Sequence, residues 1–181
     1  AIELCKKFDI KYEIVSIEPM LSAYLKNMQE SSLRIGNFSA RLRMSVLYDI
    51  SARENSLVIG TSNKSELLLG YGTIFGDLAC ALNPIGNIYK SDLFEFAKYL
   101  GVNDSIVKKA PSADFYEGHS DEADLGYSYS KIDSLLKKMI DENRSKDELL
   151  ALGFEDEFIE TIKKRVKINE FKRRLPIVAK I

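Results

Sequence analysis

The chain has 181 residues, 45% hydrophobic and 29% charged, with a formal net charge of −1: enough for one well-buried core and short for two, with no charge excess pointing to a nucleic acid or membrane partner. Two cysteines and one histidine are too few for an ordinary zinc site or a histidine-based triad, and Cys5 and Cys80 read as free thiols. No apolar run approaches the roughly 20 residues of a membrane helix, and the opening AIELCKKFD has neither the apolar segment nor the cleavage site of a signal peptide, so a cytoplasmic location is expected.

The first residues read as the second half of an amphipathic helix, with Ile2, Leu4, Cys5 and Phe8 on one face. A domain seldom starts inside a helix, so the expectation is that part of a larger domain precedes Ala1. Residues 12–17 (YEIVSI) are rich in β-branched side chains and read as a buried strand. Pro19 suits the first turn of a helix running to about residue 29, and 30–36 reads as a loop. A long helix over 37–53 carries Phe38, Leu42, Met44, Val46, Leu47 and Ile50, a stripe broad enough to lie on a sheet. Residues 57–60 read as a short, fully apolar strand of the central parallel kind. A helix over 63–69 follows, with Leu67, Leu68 and Leu69 in the core and Gly70 and Gly72 ending it.

Residues 82–87 are turn-rich. Ser91 is expected to cap an amphipathic helix with Leu93, Phe94, Ala97 and Leu100 on one face and Gly101 past its end. Residues 108–129 hold Pro111, Gly118, Gly126 and few aliphatics, and read as a long surface loop of the lid type. Helices then dominate at 130–142, 146–152 and 155–173, and Leu175-Pro176 starts a short tail. The front is α/β, with a parallel sheet and crossover helices; the back is helical. Two strands make a poor sheet, which again points to a missing part.

Chemistry concentrates in 60–77, GTSNKSELLLGYGTIFGD, where an apolar strand meets glycine and then hydroxyl, amide, ammonium and carboxylate groups ahead of a helix. Such strand–turn–helix junctions are where open α/β sheets bind nucleotides. Asn63 and Glu66 also fit a capping box. The alternative reading sends Thr61 to a nucleotide and Glu66 to Mg²⁺, which takes one or two carboxylates plus phosphate oxygens. Lys90, beside a helix N-terminus, is either a solvated lysine or an ammonium for a triphosphate and a departing pyrophosphate. Pro111-Ser112-Ala113-Asp114 is a turn or the start of a lid whose hydroxyl reaches a nucleotide. Asp121, Glu122 and Asp124 read as a solvated acidic stretch and His119 as a bystander. Of Arg41 and Arg43, one faces solvent and the other could fork onto a phosphate or carboxylate. The cluster Lys172-Arg173-Arg174 is a solvated helix end or an anion contact.

The segments GNFSARLRM (36–44), LVIGTSNKSELLLGYGTIFGD (57–77), NPIGNIYKSDL (83–93), APSAD (110–114), SDEADLGYSYSKID (120–133) and NEFKRRLP (169–176), in this order, resemble the ammonia-dependent NAD⁺ synthetases of the N-type ATP pyrophosphatase superfamily. The resemblance covers essentially the whole chain. It implies a Rossmann-like parallel sheet flanked by helices, of the adenine nucleotide α-hydrolase type, with a helical C-terminal part. Residues 1–181 would then form a single synthetase domain lacking its N-terminal pyrophosphate-loop portion. The implied reaction is ATP-dependent amidation of deamido-NAD⁺ by ammonia through an acyl-adenylate, releasing AMP and pyrophosphate.

By the same resemblance Thr61, Lys90 and Ser112 (threonine in many relatives) contact ATP, Glu66 ligates Mg²⁺, and Arg41 and Lys172 contact deamido-NAD⁺. The protein would act as a homodimer, with the helix carrying Arg41 at the interface. Ile74, Ala81 and Phe171 stand where many relatives carry lysine, aspartate and histidine, so those roles are not transferred. The SGGxDS pyrophosphate loop, expected about two strand–helix units of roughly 30 residues upstream, is absent, so this polypeptide alone is expected to be inactive. The competing readings are another N-type ATP pyrophosphatase, such as a GMP synthetase-like enzyme, and a non-catalytic truncated dimerisation module.

Overall fold

Burial is concentrated behind residue 60. The computed structural model describes residues 2–26, 31–109, 111–112, 120–174, 176 and 178–179. Among these the helices are α1 (Ile2–Lys7), α2 (Glu18–Leu25), α3 (Ser32–Arg53), α4 (Lys64–Leu69), α5 (Lys90–Tyr99), α6 (Asp104–Val107), α7 (Asp121–Leu125), α8 (Tyr129–Leu136), α9 (Lys146–Ala151) and α10 (Asp156–Ile168). A π-helical turn, Lys137–Asp141, prolongs α8, and a 3-10 turn, Glu170–Arg173, follows α10. No helix among the described residues is long and apolar enough to cross a membrane.

The core follows from helical periodicity. Ile132, Leu135 and Leu136 of α8 fall at i, i+3 and i+4, and Phe158 and Ile162 of α10 are four apart, so each helix turns one apolar face inward. These residues are all buried and meet Leu69 of α4, Leu149 of α9 and Tyr129. α8 packs on α5 and α4, and α4 also packs on α10. α9 opens on a capping box in which Ser145 and Glu148 satisfy each other's backbone N–H groups.

Several expectations change. Residues 12–17 form no strand among the described residues: Tyr12, Ile14 and Val15 are exposed, with Ile14 74% exposed. A strand needs a neighbour to receive its hydrogen bonds, and no described segment pairs with this one. Of 57–60, only Ile59 enters a parallel bridge, with Leu82; Val58 is buried while Leu57 and Ile59 are exposed. The expected sheet is therefore reduced to one bridge among the described residues. Helix α3 starts at Ser32, five residues before its expected start, and takes in most of the segment read as a loop. The far end expected for α2, at residue 29, lies outside the described residues.

The segment read as one long loop is helical in its second half, where α7 ends on the left-handed Gly126. His119, Asp114 and residue 113 lie outside the described residues. Ser91 is not a cap: α5 begins at Lys90, with Tyr89 in the cap position. α10 stops at Ile168 instead of running to 173, because the backbone tightens at Asn169 into the 3-10 turn. Cys5 and Cys80 are unpaired, as expected.

Candidate functional site

Gly60 closes the apolar run because nothing larger fits. A β-carbon there would stand 2.5 Å from Cys80 Sγ, and its N–H donates to Leu82 O at 2.7 Å, beside the parallel bridge. Thr61 then emerges exposed, while Ser62 and Asn63 are buried. The turn over 82–89 is tied to the start of α4 through Asn83 Nδ2 donating to Ser62 O at 2.8 Å and Lys64 N to Ile88 O at 2.8 Å.

Glu66 makes the capping box read from the sequence and also meets Lys90. Its Oε2 accepts from Asn63 N at 3.1 Å while Asn63 Oδ1 accepts from Glu66 N at 3.0 Å, which completes the capping box. Its Oε1 accepts from Lys90 Nζ at 2.9 Å, with both side chains less than one-fifth exposed. One carboxylate oxygen thus holds the helix start and the other faces the lysine. Lys90 Nζ also lies 5.5 Å from the centre of the Tyr129 ring, and an aromatic face there favours the ammonium. The Tyr129 hydroxyl has its pKa pushed up by burial and then by the negative charge of Glu66, so it stays a neutral phenol.

Other elements supply the cap that Ser91 does not. Lys90 N donates to Ser65 Oγ at 2.9 Å, Ser91 N donates to Asp133 Oδ2 at 2.8 Å, and Ser65 Oγ donates to Asp133 Oδ1 at 2.5 Å. Asp133 is 1% exposed. This buried carboxylate of α8 joins the helix carrying Glu66 to the helix carrying Lys90 and fixes their spacing.

A cavity of about 800 Å³ opens over these groups, a size that suits a cofactor or small-molecule ligand. Thr61, Glu66, Lys90, Ser112 and Lys172 all line it, so five of the six residues singled out in the sequence meet in one place. Arg41 does not join them: its Nε donates to Ile74 O at 3.3 Å on an exposed surface, and the arginine of α3 that lines the cavity is Arg43. Lys172 is not a solvated helix end. Its Nζ donates to Gly70 O at 2.7 Å and Gly72 O at 3.0 Å, and Arg173 donates to Leu67 O and Leu68 O at 3.2 and 2.7 Å. The two cations meet carbonyls at and just past the end of α4, and burial holds both pKa values below their usual range. Of that cluster Arg174 alone is exposed, paired with Glu170.

The acidic stretch is not simply solvated either. Asp121 is 5% exposed, Glu122 Oε1 accepts from Tyr129 N at 2.8 Å, and Asp124 Oδ2 accepts from Tyr71 hydroxyl at 3.2 Å. Asp121, Asp124, Tyr71 and Arg165 line the cavity and were not picked from the sequence. A signal existed: Asp121 and Asp124 are one helical turn apart, and Arg165 follows Phe158 and Ile162 at i+7 and i+3, on the buried face of α10. Among the described residues no group of three or more metal-binding side chains converges. Glu66 shares the cavity wall with Asp77, Asp121 and Asp124.

Comparison with known proteins agrees with this geometry. A family model described as NAD synthase matches residues 1–176. An NH(3)-dependent NAD(+) synthetase of Wolinella succinogenes is 51% identical over 182 residues, covering 100% of this chain and 71% of the relative; one from Campylobacter jejuni is also 51% identical, with 72% of it covered. The solved NH3-dependent NAD synthetase of Campylobacter jejuni, in complex with the nitrate ion, superposes with a TM-score of 0.82 at 44% identity, over 99% of this chain and 70% of that one. The NMN synthetase of Francisella tularensis superposes with a TM-score of 0.85 at 33% identity, over 99% and 71%. With a strand-to-helix turn, a carboxylate and a lysine meeting in one cavity and half the residues shared end to end, this chain belongs to the NAD synthase family.

Proposed function

We propose that the protein is an ammonia-dependent ligase that amidates deamido-NAD⁺ to NAD⁺ at the expense of ATP. The observation that carries this reading is the Glu66–Lys90 pair on the cavity wall, with Thr61 and Ser112 on the same wall. In the first step a nicotinate carboxylate oxygen attacks the α-phosphorus of ATP, an O–P bond forms, and the bond to pyrophosphate breaks with its electron pair leaving on the diphosphate. In the second, ammonia attacks the acyl carbon, AMP leaves, and the nitrogen loses a proton. Free ammonia is already a nucleophile, so the protein's task is to position the reactants and stabilise the leaving anion.

Lys90 suits that task. It sits at the first position of α5 and lines the cavity, and an incoming triphosphate exchanges its contact with Glu66 for phosphate oxygens. Thr61 and Ser112 offer hydroxyls to the nucleotide, and Lys172 faces the dinucleotide from the end of α4. Arg41, on the exposed face of α3, would meet the dinucleotide outside the cavity. Glu66 fits a Mg²⁺ ion, since a hard, partly buried oxygen donor beside phosphate is the usual arrangement for that metal. When bound, the ion would neutralise charge on the triphosphate.

Two structural readings accompany this proposal. The parallel bridge between Ile59 and Leu82, with the fold of the NAD synthetase neighbours, supports a Rossmann-like parallel sheet that includes 57–60. Exposed Leu33, Leu47 and Tyr48 on α3 support a homodimer paired through that helix, which light scattering after size exclusion tests directly.

A second reading takes a mononucleotide as acceptor. The superposition on an NMN synthetase favours it, as do Ile74 and Phe171 in place of the charged or polar residues of many relatives. Titration calorimetry with Mg²⁺ and ATP present, adding deamido-NAD⁺, nicotinate mononucleotide or XMP in turn, separates the possibilities. Tightest binding of deamido-NAD⁺ supports the first reading and preference for the mononucleotide supports the second. Binding of XMP alone would overturn both and indicate a GMP synthetase-like enzyme.

A further inference from the structure

Four cationic side chains line the cavity, and they differ in what they already hold. Lys90 is engaged by Glu66, Lys172 by two carbonyls, and Arg43 is exposed to water. Arg165 is different. It is half-buried on the inward face of α10, its Nε is shut off from solvent without a hydrogen-bond acceptor, and among the described residues its guanidinium forms no ion pair. The contact that orients it is the Tyr71 ring, whose centre lies 5.8 Å from the guanidinium carbon. Tyr71 is held in turn by its hydroxyl donating to Asp124. A guanidinium laid against an aromatic face keeps its edge free for in-plane hydrogen bonds. A buried Nε without an acceptor is unfavourable, and the two Nη groups remain to meet a ligand that brings acceptors.

A second cation stands near. Lys172 feels the Arg165 charge, after the stronger influence of Asp77, so an oxyanion that reaches both cations is drawn by two positive groups on a wall that also carries carboxylates. A phosphate presents paired oxygens at the spacing a guanidinium reads best.

We propose that Arg165 is an oxyanion-binding residue of this cavity, forking onto a phosphate group of the bound substrate with its plane fixed by Tyr71. The inference rests on the reading of the cavity as the substrate site. It adds a phosphate contact on α10, separate from the Glu66–Lys90 pair of α4 and α5. Two substrates could supply the phosphate, ATP and the dinucleotide.

The test compares the wild-type chain with Arg165→Gln and Arg165→Lys in titrations of inorganic tripolyphosphate, ATP with Mg²⁺, and deamido-NAD⁺. Far-UV circular dichroism checks folding, which the substitutions should preserve because Arg165 uses only its backbone carbonyl to hold Asn169. The expected result is that Arg165→Gln weakens tripolyphosphate binding about tenfold or more, the loss expected for a charge-assisted hydrogen bond. Arg165→Lys should recover only part of it, since an ammonium cannot fork. A matching loss for ATP alone assigns the contact to the nucleotide triphosphate; a loss for deamido-NAD⁺ alone assigns it to the dinucleotide. Tripolyphosphate binding that depends on Arg165 without any binding of ATP or deamido-NAD⁺ would uphold the oxyanion contact and remove the substrate assignment of the cavity. Equal affinities in wild type and Arg165→Gln, or no oxyanion binding by the wild type, overturn the proposal.

Discussion

Ile14 and Ile132 are the same side chain in opposite surroundings, one 74% exposed and the other 0%. The contrast extends to the regions around them. Ahead of residue 60, Ile2, Phe8, Tyr12, Val15, Leu47 and Leu57 are exposed, and α2 packs against α3. Behind it, α4, α8, α9 and α10 bury Leu69, Ile132, Leu135, Leu149, Phe158 and Ile162 against one another, and α5 packs on α8 and α4. Apolar composition alone does not bury a residue; a neighbour on the far side of each face does. The difference also bears on the site. Glu66 and Lys90 stand on the covered block, with their spacing set by buried Asp133, whereas Arg41 and Arg43 project from the uncovered helix.

The sharpest way to break this contrast is a pair of truncations. Ile132→Ala should cost about 2–5 kcal/mol in denaturant unfolding, as cavity formation in a packed core does, while Ile14→Ala should change stability by less than about 0.5 kcal/mol. Similar losses at both positions would mean that the two regions are equally packed in solution. A smaller effect probes the link between the block and the site. Asp133→Asn keeps the shape but turns a donor group toward Ser65 or Ser91 N, at a cost of about 1–3 kcal/mol, and ATP binding should weaken with it as Lys90 shifts from Glu66. Unchanged nucleotide affinity in a destabilised Asp133→Asn would confine Asp133 to folding.

The smallest effect lies at the edge of the covered block. The Glu148 carboxyl is held down to about 2, from an ordinary 4.5, by the Ser145 N–H first, then by Arg144 and the Ser145 hydroxyl. A depressed carboxylate favours the folded chain above its unfolded value, and this help disappears as pH falls from 4.5 through 2. Acid unfolding of Glu148→Gln should therefore show a flatter stability profile across that window than the wild type. An identical profile would remove Glu148 from the acid response.

Much of the helical scaffold was legible because helices are local. The Asn63–Glu66 box, the glycine end of α4 at Gly70 and the presence of helices at α5, α8, α9 and α10 are all written within a few residues. Strand 12–17 failed for the converse reason: β-branched residues say only that a segment suits a sheet, and pairing depends on a partner distant in sequence. The start of α5 was misplaced by two residues because its caps, Ser65 and Asp133, are 25 and 42 residues away from the N–H groups they satisfy. The acidic residues of α7 looked solvated because their spacing was read as loop, and burial of Asp121 depends on what the helix packs against.

By itself the amino-acid order determined the family and the residues that gather at the cavity, since long motifs in a fixed order carry that information whatever the packing. Tertiary structure decided which arginine of α3 lines the cavity, that Lys172 and Arg173 close the end of α4, and that Arg165 lines the cavity with its Nε buried and without an acceptor. Each of those outcomes depends on a carbonyl, ring or carboxylate brought from far along the chain, and a linear pattern does not contain the distance between them.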